Sequence, residues 1–365
     1  MSRPTSATIH LDALRHNLAR VRALAPHSKV MAVVKADGYG HGLERVARAL
    51  EGADAFGVAA LSDAERLRAA GLSQRIVLLS GFDEPADLPQ LRRLNVDTVV
   101  HHESQLAMLE LEAQTISAQT ILAQNQLHIW LKLDTGMHRL GFPLSRAGEV
   151  RTRLARLPTV ARDIVSMTHL ASSDDFAGSQ TPHQLNVFEK SGDTHARSIA
   201  NSAAVLGWPA AHADWVRVGG ALYGLSVVAG KAGAEFGLRP AMTLSTRLIA
   251  INRVAKGERV GYSATWECPE EMDVGVAAIG YGDGYPRHAP SGTPVLLNGE
   301  RVPIIGRVSM DLMTLDLRGA PDAQVGDLVT LWGDGLPVEE IATAAGTISY
   351  ELTCSITRRV RFVEA

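Results

Sequence analysis

The chain has 365 residues, 46% of them hydrophobic, and 36 lysines and arginines against 39 aspartates and glutamates give a net charge of −3. That length suits two domains, or one large domain with an appendage, and can bury a sizeable core. The near-neutral balance gives no electrostatic basis for binding nucleic acid or an anionic membrane, and no stretch approaches the roughly 20 apolar residues of a membrane span.

The opening residues, Met1 to Ser6, lack the apolar core of a signal peptide. Cys268 and Cys354 form neither a disulfide framework nor a metal-binding spacing, so no metal is expected and both are read as ordinary thiols. A cytoplasmic enzyme is the expectation.

Along the chain, a helix over Leu11–Leu24 is expected to precede the first strand and to cross between domains. Strand-like apolar runs then follow at Val30–Lys35, Ala55–Ala59, Arg75–Ser80, Asp97–His101, His128–Asp134, Asp163–His169, Arg197–Asn201 and Trp215–Gly219. Several are rich in Val, Ile or Leu, as strands covered on both faces should be. Helical patterns lie between them at Leu43–Leu50, Asp63–Ala70, Glu103–Glu112, Arg146–Leu157 and Gln184–Lys190, with Ser62 and Glu65 spaced as a capping box. Eight strand–helix repeats over about 200 residues predict an α/β fold: a (β/α)8 TIM-like barrel with functional groups at the strand C-termini. A doubly wound open sheet is the alternative, but no G-x-G-x-x-G turn follows the first strand.

The pattern changes near residue 237. From Leu238 to Ala365 short β-like runs are broken by Gly and Pro: Met242–Val254, Val274–Gly280, Pro294–Leu297, Arg301–Arg307, Leu312–Leu317, Leu328–Trp332 and Cys354–Val363. Asn298-Gly299 is a hairpin signal, and one helix is expected over Val338–Ala345. The domains are therefore read as a barrel over 1–237, with the first ten or so residues assigned to the second domain, and a mainly-β C-terminal domain over 238–365.

Lys35 is the most informative residue. It closes an apolar run and opens the string Lys35-Ala-Asp-Gly-Tyr-Gly-His-Gly42. A desolvated lysine gives up its proton more easily and can attack a carbonyl, so Schiff-base chemistry is the functional reading; a surface lysine closing a strand is the other. The remaining strand ends supply Asp134 with Gly136-Met-His-Arg139, His169, Asn201-Ser202 and Arg217-Val-Gly219. An amine, several cations and Ser/Gly groups suit a phosphorylated aldehyde cofactor. Taken singly, His169 reads equally as a strand-end histidine, Arg139 as an ion-pair partner and Ser202 as a helix N-cap.

Five strings carry a family resemblance: Val33-Val-Lys-Ala-Asp-Gly-Tyr-Gly-His-Gly42, Lys132-Leu-Asp-Thr-Gly-Met-His-Arg-Leu-Gly141, Ala278-Ile-Gly-Tyr-Gly-Asp-Gly-Tyr-Pro-Arg287, Gly306-Arg-Val-Ser-Met-Asp311 and Tyr350-Glu-Leu-Thr-Cys354. In order and spacing the chain resembles bacterial alanine racemase nearly end to end. The resemblance implies a pyridoxal 5′-phosphate (PLP) enzyme, an isomerase interconverting L- and D-alanine, working as a head-to-tail homodimer with shared active sites. It implies that Lys35 forms the Schiff base; that Tyr39, Ser202, Gly219 and Tyr350 bind the phosphate; and that Arg217 meets the pyridine nitrogen, with His169 beside the cofactor. Arg139 and Met310 are implied at the substrate carboxylate. Tyr262 is implied as a second base and Asp311 as lying with Met310 on a loop near that carboxylate, all three from the partner subunit. Lys132 falls where many members carry a carbamylated lysine. A cationic His169 or Arg139 is expected to favour the tyrosinate form of Tyr262.

Two departures stand out. Ser309 sits where many relatives have cysteine, and Gly220 replaces a larger apolar residue, which is expected to loosen the phosphate cup. Asp283 and Tyr285 either shape the substrate approach or hold a Gly-rich turn, and Trp130 and Trp215 are read as core. A PLP-dependent decarboxylase would share the architecture, but Arg217 and Tyr262 argue against it. A PLP carrier would leave the C-terminal domain unexplained, and a racemase of broader substrate range is the alternative within the same chemistry. The product D-alanine would supply peptidoglycan synthesis, or the enzyme would serve alanine catabolism.

Overall fold

The computed structural model describes residues 3–115, 126–192 and 195–365. Eight parallel strands, from Lys29–Val33 through Ala55–Val58, Arg75–Leu78, Val96–Val100, Ile129–Asp134, Val165–Met167 and Arg197–Ser198 to Trp215–Val218, form the predicted barrel. It closes where Trp215 pairs with Lys29 and Val218 with Ala32. Every residue of Val96–Val100 and Ala55–Val58 is buried, because helices cover the outside and Met31, Val77, Val99, Trp130, Met167 and Trp215 fill the lumen. Trp130 and Trp215 are therefore core, as read.

The C-terminal region is a mostly antiparallel β domain. Its long strand Met242–Val254 pairs with Leu328–Trp332 through its first half and with Met272–Ala277 through its second, so six strands close on themselves. Ser6–Ile9 adds to the other edge of that long strand, and Arg361–Glu364 lies parallel beside it, so the two ends of the described chain meet there. The helix Val338–Ala345 buries Val338, Ile341, Ala342 and Ala345, one face at helical spacing, and stops at Gly346 in the left-handed region.

Helix Leu11–Leu24 forms as predicted and locks the two regions together through buried Asn17. That side chain donates to Leu222 O and Arg239 O and accepts from Arg239 N, all within 2.9 Å. Two expectations fail. The Ser62–Glu65 capping box does not form, because the helix begins a residue earlier, at Leu61, and Ser62 lies inside it. Cys354–Val363 is not one strand: Ser349–Cys354 is helical, burying Ser349, Leu352 and Thr353 at the i, i+3, i+4 spacing of one helix face, and the strand starts at Arg361. No helix among the described residues is long and apolar enough to cross a membrane.

Candidate active site

A cleft of about 1400 Å³ opens at the C-terminal end of the barrel strands and reaches the second domain. Lys35 lines it, two residues beyond its strand. The chain then enters a left-handed turn in which Ala36, Asp37, Gly38 and Tyr39 all have φ between 52° and 63°. Left-handed backbone costs an ordinary L-residue about 1–2 kcal/mol, and three of these four are not glycine. The turn is over-determined by its bonds: Gly38 N to Val34 O, Gly40 N to Ala36 O and Gly42 N to Asp37 O, at 2.8–3.0 Å. Asp37 Oδ1 also accepts from Leu43 N and Arg66 Nη2. At Gly40 only glycine fits, because a Cβ would lie 2.0 Å from Thr353 O. Helix Ser349–Cys354 thus presses directly on the turn that aims Lys35.

Lys35 is reachable from the cleft, yet the surrounding protein and then Arg139 lower its pKa. Lys132, buried on its strand, is pushed down to about 8 by burial and by Arg217, Arg139 and Lys35. Arg217 is buried too, and burial brings it down to about 10. Its Nη1 donates to Ser198 O and Oγ, and its Nη2 to Thr168 O, at 2.6–2.8 Å, with His169 Nδ1 at 3.3 Å. None of these bonds uses Nε.

His169 is driven down to about 3 by burial and by Arg217, Lys132, Arg139 and Lys35. It is neutral at physiological pH. The expectation of a cationic His169 is thereby corrected: its ring sits among fixed positive charges that repel a second proton.

Arg139, exposed on the cleft, rides on a loop organised by Asp134, whose Oδ1 accepts the backbone N–H of Gly136, Met137 and His138 at 3.0–3.1 Å. Helix Gln180–Glu189 adds two glutamines at i, i+4: Gln180 donates to Gly136 O, and buried Gln184 donates to Thr135 Oγ1 and His169 O. The sequence reading began this helix at Gln184 and gave neither glutamine a role. Their spacing opposite a Gly-rich loop was the available signal.

Asn201, not Ser202, caps helix Ser202–Gly207, accepting from Ala204 N. Ser202 Oγ is thereby free to accept Gly219 N at 2.9 Å and Ala221 N at 3.4 Å. Tyr39 and Tyr350 approach the same place. A Cβ on Gly219 would lie 2.3 Å from the Tyr39 hydroxyl, and one on Gly220 would lie 2.4 Å from that of Tyr350. Gly220 therefore does not loosen the cup: the tyrosine hydroxyl and Val227 fill the space a larger residue would take. Burial raises both phenols far above the ordinary range, so they remain protonated donors. Fully buried Tyr223 stacks on Tyr39 at 4.7 Å and donates to Val33 O, tying this cradle to the strand that precedes Lys35.

Tyr262, Met310 and Asp311 are not in this cleft. Tyr262 is 70% exposed and Met310 51% exposed, both on the C-terminal domain. Tyr262 stands on a strained turn where Ser263 and Ala264 have positive φ. Asp283 and Tyr285 are buried and lie outside the cleft lining of their own chain. Cys268 is buried in the β domain, whereas Cys354 lines the cleft, where burial raises the pKa of its thiol.

Comparison with known proteins adds the family. Residues 9–227 match the alanine racemase N-terminal domain model and residues 241–364 the alanine racemase C-terminal domain model. The chain is 54% identical over 355 residues, 97% of each chain, to alanine racemase of Nitrosococcus oceani, and 50% identical to that of Shewanella denitrificans at the same coverage. It superposes on the biosynthetic alanine racemase of Pseudomonas aeruginosa with a TM-score of 0.94 at 43% identity, covering 100% of this chain and 99% of that one. The alanine racemase of Acinetobacter baumannii gives 0.89 at 35% identity, with both chains fully covered. With both domains matched and the cleft built from the strand ends the sequence singled out, the chain belongs to the alanine racemase family.

Proposed function

We propose that this protein interconverts L- and D-alanine with PLP in the barrel cleft. The observation that carries the reading is the convergence of Lys35, Lys132, Arg139, His169 and Arg217 with the Ser202–Gly219–Tyr39–Tyr350 cradle on one cleft. The family works with PLP, and these residues fit that group. The two glycines let the Tyr39 and Tyr350 hydroxyls lie against the backbone, where any Cβ would collide with them, and protonated tyrosines so placed donate well to a phosphate. Ser202, Gly219, Tyr39 and Tyr350 would hold the phosphate, Arg217 the ring nitrogen, and Lys35 the aldehyde carbon. When bound, PLP supplies an electron-withdrawing ring that makes the Cα proton of the attached amino acid removable.

The chain's own residues divide the remaining work. Lys35, with its lowered pKa, accepts or returns a proton at Nζ on one face of the substrate. Tyr262 of a second copy does so on the opposite face. Free tyrosine titrates near ~10, so its phenol needs a cation, and with His169 neutral that charge falls to Arg139, which also takes the substrate carboxylate. Arg217 keeps its proton at neutral pH and donates a hydrogen bond without supplying charge to the ring. Tyr262 and Met310 sit exposed, with Asp311 half-buried beside them, and all three lie outside their own chain's cleft, which supports a head-to-tail homodimer in which each β domain completes the other site. A cytoplasmic enzyme supplying D-alanine for peptidoglycan fits this chemistry.

The test is the loss of optical rotation from L-alanine by the PLP-loaded protein beside a Lys35→Ala control. Racemisation that falls by about 10³-fold in the control ties the activity to this amine. PLP-loaded protein inert toward both alanine enantiomers defeats the reading.

A further inference from the structure

Asp283 is fully buried outside the cleft and receives two arginines, one from near each end of the chain. Its Oδ2 accepts from Gly280 N at 3.0 Å and from Arg3 Nη2 at 2.7 Å, while Oδ1 faces Arg359 Nε at 3.3 Å. A carboxylate withdrawn from water in this way needs such cations to stay charged. The arginines also reach further. Arg3 Nη2 donates to Asp311 O at 2.9 Å, its Nη1 lies 3.5 Å from Asp311 Oδ1, and Arg359 Nη2 bonds that same carboxylate oxygen.

The backbone is joined at the same place. Tyr281 N donates to Ser309 O at 3.0 Å and Gly282 N to Met310 O at 2.9 Å. Gly280 is required by contact, since a Cβ there would lie 2.2 Å from Ser309 O, and a Cβ on Gly282 would push on Arg359 Nη1. Met310 is half exposed, so burial does little to fix its loop, and the polar contacts to the Asp283 turn set its place.

We propose that Asp283, Arg3 and Arg359 are positioning residues for racemisation, fixing the Ser309–Met310–Asp311 loop at the attitude in which it meets the substrate bound by the partner subunit. The inference rests on the racemase reading and extends it to residues that touch neither cofactor nor substrate. It predicts an effect on substrate binding that spares the cofactor.

Arg3→Ala, at a partly exposed position near the chain end, is the variant that should fold normally; Asp283→Asn is the stronger change. In the holoenzyme, Arg3→Ala should raise KM for both alanine enantiomers roughly tenfold, the effect of one charge-assisted hydrogen bond. It should keep kcat within about twofold, leave the PLP absorbance and dimer mass unchanged, and speed amide exchange across residues 309–312. Combined with Met310→Ala, it should add nothing to the Met310→Ala effect on KM, because both act through one contact. An unchanged KM, unchanged exchange at 309–312, or a KM rise that tracks lost PLP affinity overturns the proposal. Wild-type protein inert toward alanine defeats the racemase reading and this inference with it. Wild-type activity with an unchanged Arg3→Ala KM defeats this inference alone.

Discussion

The two mouths of the barrel carry similar residues and treat their charge in opposite ways. At the N-terminal end, buried Asp97 takes the Arg75 guanidinium and the Trp130 indole N–H, the latter at 2.9 Å. That guanidinium lies 5.9 and 5.7 Å over the Trp130 and Trp215 rings, with the Lys29 ammonium 5.3 Å over Trp215. The result is a neutralised plug. At the C-terminal end, Lys35, Lys132, Arg139 and Arg217 share one cleft, and Lys132 is affected by three of these cations more than by Asp134. One mouth is built for stability. The other holds like charges together, a crowding that an anionic ligand relieves.

The largest test of this contrast is Asp97→Ala. It leaves the partly buried Arg75 without its anion and buried Trp130 Nε1 without its acceptor, so it should lower stability by about 2–3 kcal/mol in urea unfolding of the PLP-stripped protein. A loss below about 1 kcal/mol would mean the plug is no more than surface packing. Lys132→Met is the matching change at the other mouth and should act with the opposite sign. Removing a buried cation from among three others should raise the stability of the stripped protein by about 1–2 kcal/mol while impairing racemisation.

The same pair separates by pH. Folded Lys132 releases its proton near pH 8, whereas its ordinary value is 10.5. Between these values the unfolded chain binds more protons, so stability rises with pH across that window, and the penalty is fully present below it. Lys132→Met should flatten that rise by at most ~1.4 kcal/mol per pH unit. His169 gives a second such window between about pH 3 and 6.5, where stability falls as pH falls. Wild type and Lys132→Met with equal slopes between pH 8 and 10.5 would show that the crowding of cations is not felt.

How far the sequence foretold this asymmetry depends on the kind of interaction. The strands, the two domains and the strand-end residues were legible because apolar period and position along the chain carry them. The charge balance at each mouth was not, because it arises only when the barrel closes: Asp97, Arg75 and Trp130 lie on three strands, and Lys35 follows one strand while Lys132 and Arg217 lie on two others. Nor could local pattern reveal that Asn201 would cap its helix and release Ser202, or that Tyr350 would fill the space beside Gly220. The Ser62–Glu65 spacing failed for the converse reason: a local motif was present, but the helix started earlier.

The smallest effect concerns backbone rather than charge. If the upper mouth holds strain as well as repulsion, adding glycine there should help the fold, and adding it in the lumen should hurt. Ala36 sits at φ 53°, where an alanine costs about 1–2 kcal/mol and a glycine almost nothing; the greater unfolded-state freedom of glycine offsets about 0.5–1 kcal/mol of that. Ala36→Gly should therefore stabilise by about 0.5 kcal/mol. Ala55, buried in a lumen strand, should lose about 1 kcal/mol or more on the same change, since a strand gains nothing from glycine and the lumen loses a methyl group. Activity should move against stability at Ala36, because a relaxed turn aims Lys35 less well, and kcat should fall while the midpoint of urea unfolding rises. If both substitutions destabilise equally, the hydrogen bonds around Asp37 already make the left-handed turn the preferred local conformation, and the strain assigned to this mouth is electrostatic alone.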